Sequence, residues 1–432
     1  MQNIFTPRLI TALMAVAFAG SASASGFQLQ NQNASGTSVA FAGAAAVAED
    51  ASTIYFNPAG MTSLPLGHSI SVAGTVLSRS LDFTNTGTTA MPVINPATGR
   101  PTGATHAVGG NGGGAGGVAL VPAMYYSYAI SPDLRIGLGF SATYGSENEY
   151  DDNFAGRFSG RYTSIHQMNI NPSVAYKVND MLSLGFGLNY AKNETEFRQH
   201  SPVVGAPLAT LKGEDSAWGY NLGANFQFTP QTRVGVSYRS TMKFNLEGDQ
   251  KVASPYNTST SIKADLETPD NFSLALSQKI GDQFELLADA TWTGWSSVST
   301  LTPINASTGA RASAPLRYNF NDTWRFGLGG KYQLNQDWNL RAGVAYDQSP
   351  VPDDASRTMT VPDSDRTWLA FGARWNLNKQ ASLDMGYAHI FFKDSSTARA
   401  VMNTTETTTL QTVRGDFKTS ADLFSVQLNY NF

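Results

Sequence analysis

Five histidines, His68, His106, His166, His200 and His389, are the residues of this chain best suited to proton transfer or metal ligation. A Ser-His or Asp-His hydrolytic site would need one of them beside a nucleophile in space. None sits in a recognisable local motif: His106 falls in a Gly-rich loop, and His389 lies in an alternating segment. The chain has no cysteine, which removes disulfides, zinc-thiolate sites and cysteine nucleophiles together. No catalytic residue, metal site or cofactor is expected, and the chain does not read as an enzyme. The net charge of −4 argues against nucleic acid as a partner.

A second feature is steric. The stretch "EDASTIYFNPAGMTSL", 49–64, is apolar and aromatic, then broken by Asn57-Pro58-Ala59-Gly60. Asp50 can cap a short helix over 51–56. Pro58 disfavours helical geometry at Asn57, and Asn57 can cap a further turn with Pro58 at its first position. Gly60 lets the chain bend again. The stretch reads as a rigid corner between two short helical turns.

The elements that hold this corner follow from the rest of the chain. Its 432 residues suffice for two or three soluble domains or one very large barrel. Only 14% are charged, against the usual quarter, and no window of 18 apolar residues follows the N-terminal segment, so spanning helices are not expected. Residues 1–24 have a positive Arg8, a short apolar core and a small-x-small end at Ala22-Ser23-Ala24. This is the pattern of a cleaved secretory signal peptide, so the mature chain is exported.

After about residue 66, apolar and small-or-polar side chains alternate. Leu134, Ile136, Leu138, Phe140, Ala142 and Tyr144 share one face, with Arg135, Gly137, Gly139, Ser141 and Thr143 on the other. Period 2 means strand. The segments are long for soluble strands and match the roughly 9–11 tilted residues that cross a bilayer. Aromatics collect at their ends, including Tyr125, Tyr190, Tyr238, Trp295, Trp338, Trp368, Trp375 and Tyr430, where membrane girdles would sit.

Fourteen such segments can be placed: 68–83, 118–130, 134–145, 164–178, 182–197, 216–229, 232–247, 260–280, 284–297, 318–333, 337–347, 366–377, 380–393 and 420–432. Tight turns alternate with long polar loops, the pattern of an outer-membrane barrel. An even count puts both barrel ends on the short-turn, periplasmic side.

Residues 25–66 do not alternate and are small and mildly apolar. Eight strands already leave an interior just wide enough for side chains, so fourteen leave a lumen to fill. The segment is expected to plug it. The fold expected is all-β: a 14-stranded antiparallel transmembrane barrel over 67–432 with a small helical hatch over 25–66.

The same residues carry a family resemblance. Gly26-Phe27-Gln28-Leu29, Asp50-Ala51-Ser52, Asn57-Pro58-Ala59-Gly60, Tyr144-Gly145, Tyr238-Arg239-Ser240, Leu266 with Pro269, and Trp295-Ser296 resemble the FadL/TodX outer-membrane transporters of hydrophobic compounds. So do Ser349-Pro350-Val351-Pro352, Pro362-Asp363, Asp365-Arg366 and Trp368. The resemblance implies passive uptake of long-chain fatty acids or, in some branches, aromatic hydrocarbons. Ligand would be captured at the outer loops and released by rearrangement of the hatch N-terminus, with Phe27, Asn57, Pro58, Ala59 and Gly60 as gating residues. A kink in the third strand, at Ala142, Thr143, Tyr144 and Gly145, would open a side portal into the bilayer. Basic residues would hold a fatty-acid carboxylate, and Arg198 and Arg317 are the nearest candidates. The loop 198–215 is shorter than is typical of the fatty-acid branch, which keeps a hydrocarbon ligand open.

Expected partners are a long-chain fatty acid or other hydrophobic small molecule, outer-membrane lipid and lipopolysaccharide, and the barrel assembly machinery during insertion. The barrel is expected to be a monomer. Rival readings are a general porin, which large steady ion conductance would reveal, and an outer-membrane hydrolase, which loss of ester turnover in a single His variant would reveal. The long loops also permit a secondary adhesin or phage-receptor role.

Overall fold

A computed structural model describes residues 26–432. The signal peptide expected over 1–24 lies outside the described residues.

Fourteen strands form one closed antiparallel barrel. The first six are β1 (His68–Asn85), β2 (Gly117–Ala129), β3 (Leu134–Glu149), β4 (Tyr162–Lys177), β5 (Leu182–His200) and β6 (Leu208–Thr229). The next two are each interrupted: β7 (Thr232–Arg239, then Met242–Val252) and β8 (Thr258–Thr268, then Asn271–Ile280). The circuit continues with β9 (Phe284–Thr293), β10 (Thr323–Gln333), β11 (Trp338–Asp347) and β12 (Arg366–Asn376). It ends with β13 (Ala381–Phe392, then Ser395–Met402) and β14 (Thr409–Asn431). β14 closes on β1 from Ser69↔Asn431 to Asn85↔Gly415.

The strand set follows the alternation, and the structure corrects its limits. Residues 294–297 are not strand, and Trp295–Ser297 form a 3-10 turn instead. Pro269 has no amide to donate to a ladder, and β8 breaks there. The loop expected over 198–215 is mostly hairpin: β5 and β6 run on, leaving only 201–207 between them. Charged cross-strand partners such as Lys192–Glu214 and Lys212–Glu196 (3.0 and 2.8 Å) line that extension. Water above the membrane solvates strands that need no apolar face.

Across the membrane band the outward positions are apolar, among them Val76, Leu138, Leu188, Leu328, Phe371 and Phe424. Exposed aromatics border the band at both ends: Trp218, Tyr220, Trp324 and Tyr346 toward the long loops, Tyr176, Tyr332, Trp375 and Tyr430 toward the tight turns. Trp338 and Trp375 stack with ring centres 5.6 Å apart. This surface matches a hydrocarbon belt between two interfaces. Three aromatics expected in the girdles face inward instead: Tyr125, Trp295 and Trp368 are each at most 1% exposed. Trp295 packs on Phe27 and Trp368 on Phe41, so the lumen contents claim them.

Residues 26–66 lie inside the barrel. Their contacts run around the wall, from Ser71 of β1 on Ala51 to Gln427 of β14 on Ala34. Glycines on the lumen face let backbone meet backbone. A Cβ on Gly343 would strike the Val39 carbonyl, and one on Gly235 the Ala45 carbonyl. The small inward face seen in the sequence is therefore the footprint of the inserted segment.

Candidate functional site

The inserted segment is built from short turns. Asn33 caps α1 (Ala34–Thr37), accepting the Gly36 amide at 2.9 Å. The helix α2 spans Thr53–Phe56 and starts two residues later than expected. Asp50 takes the Ser52 amide at 3.0 Å, which closes a turn before the helix rather than capping it. Asn57 is extended (φ −159°), and the 3-10 helix Pro58–Ser63 follows with Pro58 at its start. The Asn57 Oδ1 accepts from the Ala59 amide at 3.1 Å. Its Nδ2 reaches Ala45 O at 2.7 Å and Ala224 O of β6 at 3.1 Å. The corner read from the sequence is thus a buried bracket that ties two parts of the segment to the wall.

A second anchor is ionic. Glu49 meets Arg341 at 2.8 Å, Lys331 at 3.2 Å and Arg374 at 3.4 Å. Burial alone would raise the Glu49 carboxyl, but Arg341, Arg374 and Lys331 together hold it well below the usual carboxylate range. Asp384 of β13 shares Arg341 and Arg374. The cluster borders a cavity of about 510 Å³ that is also lined by the tight-turn residues Gln231, Gly281 and Asp282.

The first described residues are held differently. The Gly26 amide donates to Asp363 Oδ2 at 3.1 Å, and Ser349 and Arg366 take the same oxygen. Phe27 O accepts from Gly145 N at 2.8 Å, and Leu29 N donates to Thr143 O at 2.9 Å. Gln28 and Tyr144 form an antiparallel bridge. The expected gating residue Phe27 and the expected kink residues Ala142–Thr143–Tyr144–Gly145 are therefore in direct contact.

The kink is a β-bulge. Ala142 faces Met168, Tyr144 faces Gln167, and Thr143 is skipped in the register, its hydroxyl accepting from Gln167 Nε2 of β4 at 2.9 Å. One extra residue reverses the facing of everything after it. Strict alternation put Tyr144 on the same face as Ile136 and Leu138. The bulge turns it inward, 4% exposed, with its ring 5.7 Å from Phe27. On the other edge of β3, the ladder to β2 stops at Ala123↔Ser141. Above that point Thr143 O and Gly145 N are taken by Leu29 and Phe27, while Glu147 O accepts from Arg79 and Glu149 N donates to Ala115 O.

Above the segment, Phe27, Tyr144, Phe244, Leu266, Trp295 and Phe320 form part of a buried apolar cluster. A vestibule of about 680 Å³ lies between the outer loops, lined by residues such as Ile94, Phe158, Leu316, Val401 and Met402. Arg317 stands at its wall, bound by both oxygens of Glu406 at 2.6 and 2.8 Å. Arg198, at the top of β5, is bonded to Glu196 at 2.5 Å and lies over the Tyr162 ring. The two arginines are thus each engaged by a carboxylate.

His389 faces outward on β13, 2.7 Å from Asp422, which also accepts from Tyr387. Among the described residues no serine or threonine hydroxyl is hydrogen-bonded to that imidazole. His106 and His200 meet backbone carbonyls, and His68 meets Tyr126.

Sequence reasoning missed Glu49 and Asp363 as site residues. Glu49 was visible as one of few charges in its segment, but its partners lie far along the chain.

The family model for outer membrane protein transport proteins (OMPP1/FadL/TodX) matches residues 15–432. Outer membrane protein P1 of Haemophilus influenzae is 30% identical over 442 residues, covering 90% of this chain and 91% of its own. The long-chain fatty acid transport protein of Escherichia coli O6:H1 is 28% identical over 315 residues, covering 63% of this chain and 69% of its own. The crystal structure of a Pseudomonas aeruginosa FadL homologue superposes with a TM-score of 0.84 at 24% identity, covering 94% of this chain and all of that one. That likeness establishes the fold.

Proposed function

The chain belongs to the OMPP1/FadL/TodX family of outer membrane transport proteins, and on that premise we propose that it carries long-chain fatty acids or similar hydrophobic molecules passively into the cell. The coarser statement, an outer-membrane transporter of hydrophobic compounds, follows from the family. The finer one rests on the site. A ligand enters the vestibule, moves into the apolar cluster against Phe27, and displaces residues 26–29. Their departure uncovers the edge of β3 above Ser141, where no β2 partner waits. The ligand leaves sideways through that gap into the bilayer.

The observation that carries this reading is the interrupted β2–β3 ladder, whose open edge is occupied by residues 27–29. A lateral exit suits the chemistry. Apolar contact contributes roughly 25 cal/mol per Å² buried, and a route into lipid never returns that surface to water. The bracket at Asn57 and the ionic anchor at Glu49 keep the rest of the hatch in place while the first residues move. A cleaved signal peptide over 1–24, a hatch over 25–66 and a barrel over 67–432 belong to the same proposal.

The test is uptake of radiolabelled palmitate and of toluene by a bacterial host lacking its own transporter of this kind. Expression of this chain should raise the initial rate of palmitate uptake above the empty vector. Uptake of toluene alone would move the assignment to aromatic hydrocarbons. Uptake of neither, with large steady ion conductance in planar bilayers, would make the protein a porin.

A further inference from the structure

The gap between β2 and β3 is bounded above by a residue of neither strand. Arg79 belongs to β1 and faces the lumen, 9% exposed. Its register partner on β2 is Gly117, which has no side chain. The guanidinium passes the outer end of β2 and reaches β3, where Nη2 donates to the Glu147 carbonyl at 2.7 Å and to Asn148 Oδ1. Asn148 in turn donates to Thr360 O at 2.7 Å, in the loop that carries Asp363. A strut rooted on β1 therefore grips β3 where β2 makes no ladder with it. Just above, Glu149 N donates to Ala115 O at 3.3 Å and Asp151 N to Gly112 O at 2.8 Å, so the two sides join again.

From the last rung at Ser141 to the strut at Glu147, β3 runs roughly 20 Å at about 3.3 Å per residue. Within that span Leu29 forms a buried apolar cluster with Val121 of β2 and Ala142 of β3. The strut lies at a chemical boundary. On the outer face of β1, Val72 and Val76 are exposed below it, and Ser78, Ser80 and Asp82 follow at and above its level. On β14, Phe424 gives way to Asp422, the partner of Ser78. On β3, the pleat turns Ser146 and Asn148 inward, and the first charged side chain on the outer face beyond the bulge is Glu147, the residue the strut holds. A gap that ends there opens onto hydrocarbon. One that ran further would open onto the polar layer above the apolar band, where water enters.

We propose that Arg79 is the lintel of the lateral exit: it fixes the upper edge of the β2–β3 gap at the boundary of the apolar band, which limits the girth of the molecules that leave there and keeps the path dry. The proposal rests on the lateral-exit reading above and adds the residue that sizes the opening. Arg79 is a positioning residue, acting on β3 rather than on the ligand. Arginine suits the place, since its planar fork serves two acceptors at once. Arg79 also lies close enough to Asp363 and Arg366 to interact with them electrostatically, and Asp363 holds the Gly26 amide. The lintel and the latch on residues 26–29 thus share one set of supports.

The experiment is thiol labelling of intact cells with a charged, membrane-impermeant maleimide, in a chain that has no cysteine of its own. Ser146→Cys places a thiol on the lumen face beside the strut, and Thr75→Cys places one on the intact β1–β14 ladder. Both native side chains are at most 1% exposed. Each is combined with Arg79→Met, which keeps bulk and loses the donors, and with Asn148→Ala, which removes one acceptor and leaves the arginine. Heat-modifiable gel migration verifies that each variant is a folded barrel. A hydrogen bond from a charged donor corresponds to about tenfold in population. Labelling of Ser146→Cys should therefore rise about tenfold with Arg79→Met and by less with Asn148→Ala, while Thr75→Cys stays protected. The rate of uptake of palmitate bearing a terminal pyrene, relative to plain palmitate, should rise in Arg79→Met, and Arg79→Lys should restore most of the wild-type ratio. Equal labelling of Ser146→Cys with and without Arg79, a parallel rise at Thr75→Cys, or an unchanged uptake ratio overturns the lintel while leaving hydrophobic uptake intact. Palmitate uptake by wild type at the empty-vector level overturns the uptake reading instead, and the labelling comparison then decides whether Arg79 holds the gap.

Discussion

Replacement of Glu49 by glutamine should loosen the hatch without unfolding the barrel. The carboxylate serves Arg341, Lys331 and Arg374 at 2.8, 3.2 and 3.4 Å. All three cations belong to the wall, and Glu49 belongs to the inserted segment. The wall cations keep partners of their own: Asp384 holds Arg341 and Arg374, and Glu285 lies 3.4 Å from Lys331. The loss therefore falls on docking. Breaking a buried ion pair from one side costs about 3–5 kcal/mol. Glu49 retains 21% side-chain exposure, and its partners are not left bare, so the lower end, about 3 kcal/mol, applies. At about 1.4 kcal/mol per tenfold, the undocked population rises roughly a hundredfold. The assay is ion conductance in planar bilayers, read with protease accessibility of residues 26–66 from the periplasmic side. Glu49→Gln should show frequent openings and faster cleavage. Paired with Arg341→Gln, it should be less than additive, since both act on one contact. Conductance and cleavage equal to wild type would refute the idea that this cluster holds the hatch.

The same carboxylate sets a pH dependence. Its pKa is lowered in the docked state, so its contribution is complete above the ordinary glutamate value of about 4.3 and is lost as pH falls through the lowered value. Hatch protection measured by protease accessibility should be flat from pH 8 to about 5 and should decline only well below that, with Glu49→Gln lacking the decline. Deleting Thr143 removes the bulge and restores one register along β3, with Tyr144 still opposite Gln167 and facing inward. Transport should fall by at least tenfold in an uptake assay while conductance stays low, because the exit is gone but the plug remains.

The alternation of side chains was enough to place fourteen strands, because a membrane wall repeats one rule at every turn of the chain. It failed where that rule stops. Above the membrane, β5–β6 and β13–β14 continue as hairpins whose outer faces are charged, so apolar periodicity ends before the strands do. Within β3, one extra residue reverses the facing of Tyr144, and its local sequence looks like regular strand. Trp295 and Trp368 read as interface aromatics, but Phe27 and Phe41 of the inserted segment draw them inward. The corner at Asn57-Pro58 was legible because capping and proline effects are local. The partners of Glu49 were not, because they depend on where the segment lies in the barrel. The family resemblance pointed to Phe27 and to residues 142–145 separately; their hydrogen bonds to one another needed the structure.

Because the chain contains no cysteine, a disulfide can be installed without side reactions. Gln28 and Tyr144 are antiparallel bridge partners. Such pairs have Cα separations of about 4.5–5.5 Å, within the range a disulfide spans. Palmitate uptake by cells carrying Gln28→Cys with Tyr144→Cys, measured before and after reduction, tests directly whether residues 26–29 gate the lateral exit. The expected result is near-background uptake when the pair is oxidised and recovery on reduction, with each single variant insensitive to reductant. Equal uptake in the oxidised and reduced states would contradict it, since a tethered hatch start would then leave the path open.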